Sequence, residues 1–153
     1  MSQNAYVEPV FFVGYSKLHR SQQGLNGALE WPLLRDLVGN VQGYQVLDLG
    51  FHGIDISRNM LERAKSLTVH PAVTYSIGDL DTIELEKNLY DLVYSSLAFH
   101  YLQNLKELFG QVYDGLKAGG HFVFSVEHPI FTAPIIAPAW TESAGRTAAW
   151  AAD

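Results

Sequence analysis

The sequence predicts a doubly wound α/β domain: a mostly parallel sheet with helices on both faces. Short, nearly all-apolar runs recur along the chain: YQVLDL at 44–49, GIDI at 53–56, YDLVYS at 90–95 and HFVFSV at 121–126. Amphipathic helical stretches alternate with them, RNMLERAKSL at 58–67 and NLKELFGQVYDGL at 104–116. Runs this apolar read as strands covered on both faces, which is the composition of a parallel sheet. The chain has 153 residues, 48% hydrophobic and 17% charged, enough for one domain around one core. It divides into an N-terminal arm over 1–27, a core over 28–134 and an irregular tail over 135–153.

The arm has weak periodicity but clusters Tyr6, Phe11, Phe12 and Tyr15, so a short helix or ordered arm is expected. In 28–38 the leucines fall near helical spacing, and Pro32 suits a first turn, so that helix starts near Trp31. Gly39-Asn40 ends it. Strands follow at 44–49 and 53–56. Ser57 is a good N-cap for the helix over 58–67, whose apolar stripe is Met60, Leu61, Ala64 and Leu67. His70-Pro71 breaks the chain, and 72–77 (AVTYSI) alternates like a third strand. Gly78-Asp79-Leu80-Asp81 reads as a turn, and 90–95 as the fourth strand. The helix over 104–116 stops at Lys117-Ala118-Gly119-Gly120, and 121–126 is the fifth strand. Beyond it no strand is evident.

One connection conflicts with this order. Leu49 and Gly53 are separated only by Gly50-Phe51-His52. Parallel neighbours need a crossover of roughly a dozen residues or more. An antiparallel hairpin would avoid that need, but Phe-His is a poor two-residue turn, because such turns favour Gly, Asn or Asp at positive φ. The reading adopted is that a crossover segment is absent between Gly50 and Phe51, with the two strands lying side by side and parallel.

Composition narrows the function. Ten Lys+Arg against sixteen Asp+Glu give a charge of −6, with no basic run to track phosphates or an anionic membrane. No apolar stretch reaches the roughly 18 residues of a membrane span. The start, MSQNAYVEPV, lacks the basic and apolar regions of a secretory signal, so a cytoplasmic protein is expected. With no cysteine, thiolate metal sites and Cys nucleophiles are excluded. The six histidines are dispersed, so no metal site is expected, and neither a G-x-S-x-G elbow nor a G-x-x-x-x-G-K-[ST] loop is present.

Taken in order, VLDLG (46–50), GIDISRNMLERAK (53–65), GDL (78–80), YDLVYSSLAFHYL (90–102) and LKAGGHFVFSVEHPIF (116–131) resemble the class I S-adenosylmethionine-dependent methyltransferases of the small-molecule type. The resemblance runs from about residue 15 to 134. It departs at the glycine-rich loop expected after Gly50 and at the tail, which is too short for the usual closing strand pair. It implies a Rossmann-like methyltransferase fold, S-adenosylmethionine as cofactor and methyl transfer to a small-molecule acceptor by in-line displacement; the acidic charge separately predicts no nucleic acid and no membrane partner. An NAD-type oxidoreductase is the alternative, because an acid ending strand two also suits an NAD ribose. A noncatalytic binding module of the same fold is another.

Ligands of doubly wound sheets bind at the carboxyl ends of the strands. There Asp55 can accept both ribose hydroxyls, since an ionised carboxylate is acceptor-only; equally, it can be an acid favoured by the N-terminus of the next helix. Asp79 can accept the adenine amino group or simply hold a turn. Ile56, Met60 and Leu80 are candidates to sandwich adenine, with ordinary core packing as the other reading. Gly50 would admit the methionine portion, Asp48 would organise the loop there, and Ser95 follows strand four beside the reacting methyl. His100 and His128 are candidate general bases, with pKa values naturally near working pH. Tyr15, His19, Arg20 and Glu127 are candidate substrate contacts.

Overall fold

A computed structural model describes residues 9–50, 53–68, 70–128, 139–143 and 146–151. The arm forms α1 (Pro9–Tyr15), α2 (His19–Gln23) and a 3-10 turn (Gly24–Gly27) before α3 (Trp31–Val38). The core alternates β1 (Val46–Asp48), β2 (Ile54–Asp55), α4 (Arg58–Leu67), β3 (Ser76–Ile77), β4 (Tyr90–Ser96), α5 (Leu105–Gly115) and β5 (Leu116–Ser125). A hairpin, β6 (Ala139–Ser143) with β7 (Arg146–Ala151), follows. Among the described residues, no helix is long and apolar enough to cross a membrane.

β1, β4 and β5 form a parallel sheet with β4 in the middle. β2 and β3 pair in parallel, and a parallel bridge between Leu49 and Ile54 joins that pair to β1. The order is therefore β3-β2-β1-β4-β5. The strands on either side of the short link are side by side and parallel, as the sequence requires. The Gly50–Phe51 junction itself lies outside the described residues.

Handedness then assigns the helices to faces. From β1 through β2 to β3 the chain steps one way across the sheet, and from β4 to β5 it steps the other way. Right-handed crossovers place α4 and α5 on opposite faces. Leu49 and Val93 point to the α5 face and pack with Phe99, Leu108 and Val112. Leu92, Tyr94 and Val123 point the other way and pack with Leu34 of α3, flanked by Trp31 and Val38. By register Val46 and Asp48 share this second face. A crossover from β1 to β2 would run over it. Among the described residues no helix does so, and Val46 is 45% exposed although its strand is interior to the sheet. The expectation that β1 is covered on both faces fails there, for that topological reason. On the same face α3 leaves Leu33 and Leu37 exposed.

Other expectations are corrected locally. The sequence predicts the third strand over 72–77, but only Ser76 and Ile77 pair, because β2 offers just two partner residues. Residues 117–120 do not precede the fifth strand but lie inside it. Leu116 pairs with Tyr90, the register shifts, and His121 pairs with Leu92, so the glycines absorb a bulge. The tail is not strandless: β6 and β7 pair antiparallel, with Trp140 opposite Trp150. Alanine is depleted in strands, which hid this ladder in an alanine-rich segment.

Candidate functional site

The strands end along one rim. At its centre Leu49 N–H donates to the Tyr94 carbonyl at 2.8 Å, and Gly50 N–H to the Ile54 carbonyl at 3.0 Å. Gly50 has φ of +135°, and a Cβ there would stand 3.2 Å from the Ala98 Cβ, so the position favours glycine. Ser95 is fully buried, and its hydroxyl donates to the Leu49 carbonyl at 2.5 Å. It ties β4 to β1 from below the rim.

Two acids occupy neighbouring strand ends. Asp55 closes β2 and accepts the Ser57 N–H on Oδ1 at 2.6 Å. Ser57 in turn caps α4, its hydroxyl accepting the Met60 N–H at 3.4 Å. Burial raises the Asp55 pKa, with the Ser57 hydrogen bond opposing. Asp48 closes β1. It keeps some exposed surface, but protein atoms crowd its carboxyl, and that desolvation pushes it up to about 7. Arg20 pulls it down and Asp55 adds to the rise. Beyond β3, Asp79 accepts the Asp81 N–H on Oδ1 at 3.0 Å, and its carbonyl accepts the Thr82 N–H at 3.0 Å, so its backbone forms a turn. Leu80 and Ile56 are partly buried. Met60 is 1% exposed and belongs with Leu61 and Ala64 on the buried side of α4.

The arm closes the other end of the rim. Arg20 Nη1 pairs with Glu30 Oε1, and Arg20 Nη2 donates to Ser96 Oγ at 2.7 Å. Ser96 Oγ also lies 3.0 Å from Glu30 Oε1 and 3.1 Å from Ser125 Oγ, the last residue of β5. For Glu30, burial raises the pKa, but hydrogen bonds from its backbone, Arg20 and Ser96, together with the Arg20 charge, bring it below the usual range. Tyr15 is partly buried and His19 is exposed. Glu30 and Ser125 escaped the sequence reading. Glu30 meets Arg20 and Ser96 because the arm folds over the sheet, and Ser125 meets Ser96 through the β4–β5 pairing; no local spacing announces either.

His100 lies in a 3-10 turn (Phe99–Tyr101) after β4, its ring centroid 4.1 Å from that of Tyr101. Both ring nitrogens are buried without a hydrogen-bond partner among the described residues. Burial lowers its pKa, and the Glu127 charge opposes. Burial thus favours the neutral form of the ring. Glu127 and His128 are exposed.

These residues fit a nucleoside at the β2–β3 end: Asp55 supplies acceptor oxygens, and Ile56 and Leu80 supply partly buried apolar surface. The β1 end is different. Its backbone N–H groups at Leu49 and Gly50 are already spent in the sheet.

A family profile described as a methyltransferase domain matches residues 38–124. A crystal structure of an S-adenosylmethionine-dependent methyltransferase from Mesorhizobium loti superposes with a TM-score of 0.69 at 39% identity, covering 85% of this chain and 67% of that one. An uncharacterized protein of Haemophilus influenzae is 32% identical over 152 residues, covering 84% of this chain and 60% of its own length. That aligned stretch is longer than the part of this chain it matches, so the relative carries residues with no counterpart here. Phosphoethanolamine N-methyltransferase 2 of Caenorhabditis elegans is 34% identical over 79 residues, covering 49% of this chain and 18% of that protein. This chain therefore spans only part of the curated relatives it matches.

Proposed function

Because the chain belongs to the S-adenosylmethionine-dependent methyltransferase family, we propose that it transfers a methyl group from that cofactor to a small-molecule acceptor by in-line displacement. The carrying observation is the placement of Asp55 at the end of β2, directly before the capped N-terminus of α4. When bound, S-adenosylmethionine supplies a methyl carbon already activated by a sulfonium. Asp55 accepts the ribose hydroxyls, while Ile56 and Leu80 flank the base and the Asp79 turn borders it. Asp48, once ionised, adds negative potential that favours a cationic ligand. In this reading the acceptor enters beside the Arg20–Glu30–Ser96 closure at the end of β4, the strand that leads into the His100 turn. Most of the barrier reduction comes from alignment and exclusion of water, and His100 takes a proton where the acceptor must lose one. The name of the Caenorhabditis relative, whose acceptor is phosphoethanolamine, supports a small acceptor.

Titration calorimetry with S-adenosylhomocysteine and NAD side by side tests this. The homocysteine product is expected to bind and NAD not to. Asp55→Ala should weaken the binding by about 1.5–3 kcal/mol, the cost of losing charge-assisted hydrogen bonds. Binding of NAD alone, or an unaffected Asp55→Ala variant, overturns the reading. The four positions between Leu49 and Ile54 favour one second reading, a noncatalytic nucleoside-binding module. Product formed from S-adenosylmethionine with any of a panel of small acceptors excludes it.

A further inference from the structure

We propose that Arg63 is a positioning residue: by holding α2 at the Ser21 carbonyl, it ties the filling of the nucleoside end of the rim to the seating of Arg20 at the acceptor end. The inference rests on the methyl-transfer reading of that rim. Arg63 lies on α4, the helix that starts directly after Asp55 and its Ser57 cap. Its Nη2 donates to the Ser21 carbonyl at 2.5 Å, across 42 positions of sequence. Ser21 follows Arg20 in α2, and Arg20 donates to Ser96 and pairs with Glu30. Two consecutive residues of one short helix are thus fastened to the α4 and β4 sides of the rim. A shift at one foot reaches the other because the arm is tightly packed around them. A Cβ at Gly27 would collide with the His19 carbonyl and stand 2.9 Å from the Arg20 nitrogen, so the 3-10 turn and the start of α2 move as one body.

The arm also has a second state within reach. The Ser21 hydroxyl, on a residue only 3% exposed, and the Arg63 Nε are buried without a hydrogen-bond partner among the described residues. Docked, the arm gains the Arg20 and Arg63 bonds but strands these two groups, which water satisfies when it lifts. Opposing terms of this kind leave the docked state open to bias by a ligand. A nucleoside held by Asp55 sits at the N-terminus of α4, the helix that carries the foothold. A ligand laid along the rim from Asp55 toward Ser96 meets α2 only while the arm is docked, and that differential contact shifts the arm. Arg63 donates to the arm backbone, so its effect on the ligand runs through Ser21 and Arg20.

Trypsin tests this on the intact chain, because Arg20 must leave Glu30 and Ser96 before the protease can take its side chain. Saturating S-adenosylhomocysteine is expected to slow cleavage after Arg20 about tenfold. In Arg63→Ala the same ligand should slow it by about twofold or less, and its calorimetric dissociation constant should weaken by the lost factor, about fivefold, because coupling is reciprocal. Arg63→Gln, a milder change that shortens the reach, is expected to behave alike and carries the test if Arg63→Ala does not fold. Arg63→Lys keeps a cationic donor for the Ser21 carbonyl and should regain part of the protection. A purely structural role would speed cleavage equally with and without ligand. An unchanged protection ratio in the variants therefore overturns the inference and leaves the proposed function standing. Failure of the unmodified chain to bind S-adenosylhomocysteine overturns the proposed function itself.

Discussion

Arg20 and Ser96 lie 76 positions apart in sequence, yet Nη2 of the first donates to Oγ of the second at 2.7 Å. This bond and the Arg20–Glu30 pair hold the arm on the ends of β4 and β5. Both side chains of the ion pair are mostly shielded, at 19% and 24% exposure, so the pair is screened less than a surface bridge. Glu30→Ala is therefore expected to cost about 1–2 kcal/mol in urea unfolding, by stranding a guanidinium. Because Glu30 is held below its usual pKa, its contribution is present above the unfolded value and is lost as pH falls through the lowered one. An unchanged unfolding midpoint in the variant would show that the arm is not clamped there.

Asp48 gives the opposite sign. Its folded pKa of about 7 stands above the model-peptide value of 3.8. The folded state therefore binds a proton more tightly than the unfolded chain. Stability is full below about pH 4, declines as pH rises toward 7 and is level beyond. Asp48→Asn should remove that decline and be the more stable protein at pH 8, by roughly 1–3 kcal/mol. Melting temperatures of the two proteins from pH 4 to 8 check this. Parallel curves would mean that the carboxyl is hydrated.

What was legible in the sequence followed from local rules. Ser57 and the apolar stripe predict α4 with its observed bounds, Arg58–Leu67, but of the stripe only Met60, Leu61 and Ala64 are buried; Leu67, in the last turn, is exposed. The apolar run at 90–95 fixed β4 to within one residue. Elements set by a distant partner were not legible. β3 shrinks to Ser76–Ile77 because β2 is short, and the tail hairpin depends on pairing that alanines do not signal. The same divide runs through the site. Asp55 is placed by the end of strand two and Asp48 by the likeness of VLDLG to a family motif, whereas Glu30 joins Ser96 through the fold of the arm and Ser125 through the β4–β5 register.

His100 combines two buried nitrogens, unpaired among the described residues, with a lowered pKa. The unfolded chain takes up a proton near pH 6.5 that the folded protein resists. Stability is thus full above that value and falls as pH drops below it, opposite in direction to the Asp48 effect. His100→Phe replaces the orphaned nitrogens with apolar surface, so it should flatten this acid limb without lowering stability at pH 8. If the imidazole accepts a proton from the acceptor, the variant also loses about 100-fold or more in methyl-transfer rate while S-adenosylhomocysteine affinity is kept. His128→Ala, at an exposed position, should do neither. A His100→Phe variant with full turnover would leave alignment as the whole mechanism.

The short link between β1 and β2 gives a sharp contrast between two glycines. At Gly53 an added Cβ would meet the Asp48 carbonyl oxygen at 2.5 Å and the Asp48 Cβ at 3.1 Å. Both contacts are to the neighbouring strand, one of them to backbone, so no flexible side chain can yield. Gly53→Ala must push β1 and β2 apart and break the bonds from Gly50 N–H to Ile54 and from Ser76 N–H to Gly53. A loss of about 2–4 kcal/mol is expected, in the range of core overpacking combined with lost ladder bonds. Gly110 lies within α5 with nothing near its Cβ position, so Gly110→Ala should instead stabilise by about 0.5–1 kcal/mol through helix propensity. Urea unfolding of the two variants measures both signs. If Gly53→Ala is tolerated as easily as Gly110→Ala, the two strands are not drawn together by the link, and the parallel Leu49–Ile54 bridge is not part of the folded protein.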